Sequence, residues 1–485
     1  MTSQTRDTAE TFVPDPRRWK ALGVCLVAGF MILLDVSIVN VAIPSVQSGL
    51  GAGESALQWI VSGYALALGL LLVPAGRLGD ARGRRRVLML GLALFTVASA
   101  ACGFAPTPIL LVVARLLQGF AGGLVTPQVT GLIQELFRGP ERGRAFGAYG
   151  TVIGISTAVG PLLGGAIIAV AGTESGWRFV FFVNVPIGVV ALLLARRWVP
   201  PATRAQTGRQ DLDPIGVLLL GLTVVCVLLP FIEQQTWTSP LRLLLFPAAG
   251  LFAALWVGHE RRYARGHEPV VDLSLFALRS FSLGAALGLL FFAGFTGIFF
   301  IYTQYLQDGL GYAAWQAGLA TTPFAVGTAL LSSVGSKAVT RRGRPLIALG
   351  LGLTLLGLAL TYVAVLLEPG RGVGWAVAAP LLLAGMGSGL VISPNQTLTL
   401  SEVPVQRGGS AGGVLQTGQR IGSAAGIALT GSVFYGAVSS SSGDYAVAFR
   451  EGVLVIGAFV LAALVLAALD ALGTRRRVTT APASE

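Results

Sequence analysis

Asp35 has the most to explain. It stands in Leu34-Asp35-Val36-Ser37-Ile38-Val39-Asn40-Val41-Ala42-Ile43-Pro44, deep in an apolar run that begins near residue 21. A carboxylate in hydrocarbon costs about 2.5–3.5 kcal/mol even on a lenient insertion scale, so an acid there points to function by default. Burial disfavours the charged form and a nearby cation favours it. A carboxyl held between those two pulls loads and releases a proton; one that merely pairs with an arginine locks two helices together. Arg115, in Ala114-Arg115-Leu116-Leu117-Gln118-Gly119, is the candidate partner. At about 1.5 Å per residue, Asp35 lies about 14 Å and Arg115 about 9 Å from the outer ends of their runs, depths an arginine side chain spans. Arginine keeps its proton, so it serves as a fixed charge. Arg420, in Gln416-Thr417-Gly418-Gln419-Arg420-Ile421-Gly422, is a second cation within an apolar run, with no obvious acidic partner. It either faces a cavity or bonds backbone carbonyls.

Two other groups have a physical logic. Between two apolar runs lies Gly76-Arg77-Leu78-Gly79-Asp80-Ala81-Arg82-Gly83-Arg84-Arg85-Arg86-Val87-Leu88. It reads as a tight loop in which Gly76 and Gly83 permit close turns and the arginines hold the loop in the cytoplasm. Asp80 pairs there with an arginine such as Arg84 or with a neighbouring helix end. Further on, Gly154, Gly160, Pro161, Gly164 and Gly165 form a stripe of small residues that lets another helix approach closely. Pro161 bends that run and frees a carbonyl. Asn40, Gln58, Tyr64, Gln128, Tyr302, Asn395 and Arg420 are candidates to line a cavity, with Trp59, Asn184 and Gln304 in the same polar or aromatic set. Glu233 and Asp470 read as solvated acids near span ends, and His259 and His267 as loop residues. Cys25, Cys102 and Cys226 lie far apart in apolar runs, so neither a disulfide framework nor a metal site is expected.

These residues need membrane helices to hold them. Of 485 residues, 54% are hydrophobic and 12% charged, with a mean hydropathy of +0.74. A soluble chain carries about 25% charge. Fourteen apolar runs follow one another, at 21–44, 57–76, 87–105, 109–131, 145–170, 178–198, 212–232, 241–260, 281–303, 316–338, 345–367, 374–396, 409–435 and 446–470, each long enough to span a bilayer. With the N-terminus inside, 28 of the 34 Lys and Arg fall in cytoplasmic segments. Arg178, Arg242, Arg371 and Arg450 fall outside, and only Arg115 and Arg420 lie within spans. This asymmetry puts both termini in the cytoplasm. It also accounts for the net charge of +12 without a nucleic-acid partner.

Arg82-Gly83-Arg84 after the second run is echoed by Arg342-Gly343-Arg344 after the tenth, with Thr340 where Asp80 would stand. That is a faint internal repeat of the kind transporters use. It divides the chain into a cytoplasmic tail (1–20), an N-terminal six-helix bundle (21–198), a linker carrying two additional spans (199–280), a C-terminal six-helix bundle (281–470) and a second cytoplasmic tail (471–485). The fold class is an all-α polytopic membrane protein.

The motifs also carry a resemblance, over nearly the whole chain, to the fourteen-span drug:proton antiporter branch of the major facilitator superfamily. The 76–88 segment is similar to that superfamily's motif A. The Arg115, Gln118 and Gly119 run resembles motif B, and the span-five glycines with Pro161 resemble motif C, associated with antiporters. Leu34, Asp35, Asn40, Ala42 and Pro44 resemble a motif of the fourteen-span branch, and Trp177-Arg178-Phe179 onward its entry to span six. The resemblance implies two six-helix bundles plus two inserted helices, acting as a monomer in a bacterial cytoplasmic membrane. It implies export of an amphipathic small molecule, with protons as the coupling ion, no other cofactor and no metal. Asp35 and Arg115 would carry proton coupling. Gly76, Asp80, Gly83 and Arg84 would form a conformational latch. The chain departs from relatives that prefer dications, having no further mid-membrane acid. The alternatives are a dedicated exporter of one metabolite and a proton-coupled uptake symporter, against which the span-five glycines argue. A membrane-embedded enzyme lacks a nucleophile or metal motif here, and a sensor of transporter fold would not need the intramembrane charges.

Overall fold

A chain this apolar must satisfy its backbone within each crossing segment, and helices do so. A computed structural model describes residues 14–201, 213–232 and 239–479. Parts of both expected tails, most of the 199–211 interruption and Glu233 lie outside the described residues. Among the described residues, fourteen helices are long and apolar enough to cross a membrane: α1 (Arg18–Leu50), α2 (Ser55–Arg82), α3 (Arg84–Phe104), α4 (Pro108–Leu136), α5 (Gly139–Ala171), α6 (Gly176–Trp198), α7 (Pro214–Phe231), α8 (Leu241–Tyr263), α9 (Arg279–Gly309), α10 (Trp315–Val339), α11 (Arg344–Leu367), α12 (Ala378–Thr399), α13 (Val405–Ser440) and α14 (Tyr445–Asp470).

Local chemistry sets the ends. Thr107 caps α4 by accepting from the Leu110 N–H, and Pro108 supplies the first turn, where no N–H is needed. Gly51 ends α1 in the left-handed conformation at φ 62°. The helices outrun the apolar runs that announced them, because charged residues with good helix propensity extend them into water. The clearest case corrects the reading of 76–88 as a loop. Helix α2 continues through Arg82, α3 starts at Arg84, and Gly83 alone makes the turn, at φ 92° and ψ 122°. Gly76 is not a turn residue; it sits inside α2 against the backbone of Gly409. Gly343 makes the matching break between α10 and α11 at φ 57°.

The packing repeats with a shift of eight helices. In the first half α1 packs on α5 and α6, α2 on α4, and α3 on α4 and α6. In the second, α9 packs on α13 and α14, α10 on α12, and α11 on α12 and α14. The halves meet along two seams that are images of one another, α5 with α10 and α2 with α13. The inserted helices α7 and α8 pack on each other, and α7 lies against both α2 and α13. Each half has its own apolar core, one around Phe95, Phe137 and Phe146, the other around Phe291, Phe434 and Phe449.

The span-five stripe serves two faces. Gly160 and Gly164 lie against Ser37 and Ile38 of α1, whereas Gly154, Pro161 and Gly165 lie against α10 at Ala325, Gly318 and Trp315. Gly143, Gly147 and Gly150 extend the second face along Ser332 and Ser336. A β-carbon on Gly154 would fall 2.8 Å from the Ala325 carbonyl oxygen and 3.1 Å from the Ala329 nitrogen, both backbone atoms that cannot rotate aside. Gly154→Val is therefore expected to cost about 1–3 kcal/mol by overpacking. Thermal unfolding in detergent measures this against Gly352→Ala, a position with open space around it; equal melting temperatures would refute the tight seam.

Candidate functional site

Five helices of the first half converge on Asp35. The carboxylate is fully buried on α1. Its Oδ2 lies 2.6 Å from Arg115 Nη1 of α4. Its Oδ1 accepts two amide N–H groups, from Gln118 Nε2 and Asn184 Nδ2, each at 2.9 Å. Ser99 on α3 accepts the second proton of both amides, each at 3.1 Å, and donates its own to the Phe181 carbonyl. Arg115 and Gln118 are three residues apart, so they share one face of α4. Arg115 Nη1 also donates to Gln118 Oε1 at 2.7 Å, and its Nε donates to the Ile60 carbonyl at 2.9 Å. That carbonyl sits in a π-helical turn of α2, Trp59–Gly63, a distortion that shifts carbonyls off the regular ladder. The guanidinium lies 4.0 Å from the Tyr64 ring centroid. Every charge here is balanced: one buried acid, one buried cation and neutral dipoles around them. Ser99 and the Ile60 carbonyl escaped the sequence reading, since nothing local marks a serine or a backbone oxygen.

A second cluster joins the halves where the end of α2 meets the start of α13. Asp80 Oδ1 accepts from Arg84 Nη2 at 2.7 Å and from the Gly409 N–H at 3.0 Å. Its Oδ2 accepts from the Ser410 N–H at 2.8 Å and the Ser410 hydroxyl at 2.9 Å. The acid thus caps the start of α13, where a helix presents unpaired N–H groups and positive dipole. Arg84 reaches on to Glu135 at 2.9 Å, to the Gly131 carbonyl at 2.7 Å and to the Val405 carbonyl. Over this cluster runs the segment between α8 and α9. Glu268 pairs with Arg77 of α2, Asp272 pairs with Arg407 of α13, and Val270 and Val271 pack on Val73, Val217, Trp256 and Val414.

The remaining candidates scatter. Asn40 is exposed in the C-terminal half of α1, and Gln58 is half-buried beside the π turn. Gln128 is not a cavity residue: it is buried against Gly79 and gives its amide to the Ala75 carbonyl. Asn395 is likewise committed to packing, donating to the Gly284 carbonyl and accepting from Arg344 at 3.1 Å. Tyr302 is buried within the second half against Phe449. Arg420 is partly exposed in mid-span. Asp470 is no solvated acid; it is buried, with Arg279 and Arg344 each at 3.0 Å. From α14 it pairs with Arg344, the residue that matches Arg84 in the second half. His259 belongs to α8 and lies 2.8 Å from Asp213.

Two repeated halves meeting along matched seams is the architecture of a membrane transporter, and comparison with known proteins agrees. A family model described as Major Facilitator Superfamily matches residues 25–427 and 288–482. The chain is 35% identical over 435 residues to the probable actinorhodin transporter of Streptomyces coelicolor, covering 88% of this chain and 74% of that one. It is 35% identical to the multidrug resistance protein Stp of Mycobacterium tuberculosis, covering 83% of this chain and 73% of that one. The solved proton:xylose symporter XylE superposes with a TM-score of 0.65 at 16% identity, covering 92% of this chain and 94% of that one, a likeness of fold. The chain belongs to the Major Facilitator Superfamily, and its fourteen spans and antibiotic-export relatives fit that superfamily's fourteen-span drug:proton antiporter family. It is a multi-pass membrane transporter, not an enzyme.

Proposed function

We propose that the chain exports amphipathic drugs or antibiotics across the bacterial cytoplasmic membrane in exchange for protons, by alternating access, with both termini in the cytoplasm. The buried Asp35–Arg115 pair is the observation that supports this most. A proton on Asp35 cancels one charge and leaves Arg115 uncompensated in a low-dielectric interior, where breaking a pair costs several kcal/mol. Relief comes from moving α1 against α4, or from binding a substrate that restores the balance. Helix α2 supplies the mechanical link. It carries the Ile60 carbonyl and Tyr64 at the pair and Asp80 at the cytoplasmic seam. Asp80, Gly76, Gly83 and Arg84 would latch the cytoplasmic side while the outer side releases substrate. A membrane potential contributes about 2.3 kcal/mol per charge per 100 mV, enough for one proton to sustain a substrate gradient of tenfold or more. The protein would work as a monomer in the bilayer with no nucleic acid and no cofactor beyond the proton. A narrower reading, export of one endogenous metabolite, draws support from the actinorhodin relative.

Proteoliposomes with an imposed proton gradient and an internal pH dye, challenged with a panel of amphipathic compounds, test this. Wild type should move protons when a compound is added, and Asp35→Asn should do so at least tenfold more slowly while remaining folded. Equal coupling by Asp35→Asn would remove Asp35 from the mechanism. A response to one compound among many would favour the narrower exporter.

A further inference from the structure

Arg420 is left out of the network around Asp35, and its position says what it is for. Along α13, Gly409 packs on Gly76 of α2, Gly413 packs on Leu72 of α2, and Gln416 donates to Thr130 of α4 at 2.9 Å. These positions recur every three or four residues and mark the helix face turned to the first half. Arg420 is the next position on that face. Two hydroxyls of the first half lie within electrostatic reach of its guanidinium, those of Tyr64 on α2 and Tyr149 on α5. No carboxylate pairs with Arg420, and no carbonyl accepts from it, among the described residues. The Tyr64 hydroxyl is buried without a hydrogen-bond partner. Among the described residues the cation therefore has no anionic partner and the Tyr64 hydroxyl no hydrogen-bond partner, at a depth where an unpaired cation is costly.

An aromatic wall lies close by. Helix α9 packs on α13 with Leu289 against Gly422 and Ala293 against Gly426, which sets Phe292 about one and a half turns and Phe295 about two turns further along the bundle than Arg420. Phe292, Phe295 and Phe299 are partly exposed and continue to Phe324 of α10 with ring centroids 5.1–5.7 Å apart. A mostly apolar pocket with a few converging donors is how proteins orient a small ligand.

We infer that this site binds an aromatic acid, a planar ring system carrying a carboxylate or ionised phenol, with the anion at Arg420, Tyr64 and Tyr149 and the rings toward α9. This rests on the export reading and gives it a substrate class. The Asp35–Arg115 pair is already neutral, so the net charge the site offers is the single cation of Arg420, and a lipophilic cation finds no free acid there. The guanidinium fork suits a carboxylate in a way an ammonium does not.

The test is equilibrium binding to the purified full-length protein, with no gradient, using three probes on one skeleton: anthraquinone-2-carboxylate, 2-(hydroxymethyl)anthraquinone and 2-(aminomethyl)anthraquinone. The carboxylate should bind at least tenfold tighter than the alcohol, and the amine weaker than either. Arg420→Gln should erase the carboxylate's advantage and leave the alcohol's affinity within about twofold. Because Arg420 bonds nothing among the described residues, that variant orphans no partner there. Arg420→Lys keeps the charge and should keep part of the preference, and Tyr149→Phe should lower carboxylate affinity alone. Equal binding of carboxylate and alcohol by wild type, or an equal loss of all three probes in Arg420→Gln, would overturn the inference. Such a failure leaves proton-coupled export untouched, whereas loss of proton-coupled flux with carboxylate binding intact counts against export alone.

Discussion

Arg115→Met should be far more damaging than removing both members of its pair. In the single variant, Asp35 keeps its two amide donors but loses the cation paired with it, in a site with no exposure to water. Removing one partner of a buried pair costs about 3–5 kcal/mol, because the other charge is left uncompensated. The protein should melt at clearly lower temperature in detergent and show no proton-coupled flux. In Asp35→Asn/Arg115→Met the charges leave together. The new amide can still accept from Gln118 or Asn184 and can donate to the Gln118 oxygen that Arg115 vacates. Most of the stability should return, whereas coupling should not. The residues touch, so the two substitutions are expected to be strongly non-additive. A double variant no more stable than Arg115→Met would mean that the pair is not a balanced unit. Wild-type coupling in Arg115→Met would remove the pair from the mechanism.

The sequence made some of this site legible and hid the rest for identifiable reasons. Charges in hydrocarbon are rare enough that Asp35 and Arg115 announce themselves, and helix rise brings them to one depth. The spans were legible for the same reason, since hydropathy and arginine placement act on whole segments. Tertiary partners were not. Ser99 and the Ile60 carbonyl carry no signature of their own, and the π turn that presents Ile60 is not written in any one residue. Gln128 and Asn395 looked like cavity residues because an amide in an apolar run has only two uses, and the sequence does not say which. Asp470 looked solvated because its partners, Arg279 and Arg344, are distant in sequence. The segment 76–88 looked like a loop because polarity marks the water boundary, not the end of a helix.

Asp80→Ala should loosen the seam between α2 and α13. The carboxylate accepts three hydrogen bonds from the first turn of α13 and two from Arg84. Hydrogen bonds to a charged group contribute about 1.5–3 kcal/mol each when intact. Water replaces part of that when the seam opens, so a net shift of about 3 kcal/mol is reasonable for the three that cross it. Each 1.4 kcal/mol is about tenfold, so the open fraction should rise about a hundredfold. Leu72 reports it: the side chain is fully buried and its carbonyl lies under Gly413. With Cys25, Cys102 and Cys226 replaced, labelling of Leu72→Cys by an impermeant maleimide from the cytoplasmic side should accelerate by that factor in Asp80→Ala. Asp80→Asn, which retains an acceptor, should fall between. The overlying segment contributes less. Glu268 is 61% exposed in its pair with Arg77, and exposed pairs are worth about 0–1 kcal/mol, so adding Glu268→Gln should raise labelling no more than about fivefold further. If Asp80→Ala leaves the labelling rate unchanged, the seam is held by the close packing of Gly76 on Gly409 and not by charge, and a latch built on Asp80 has to be abandoned.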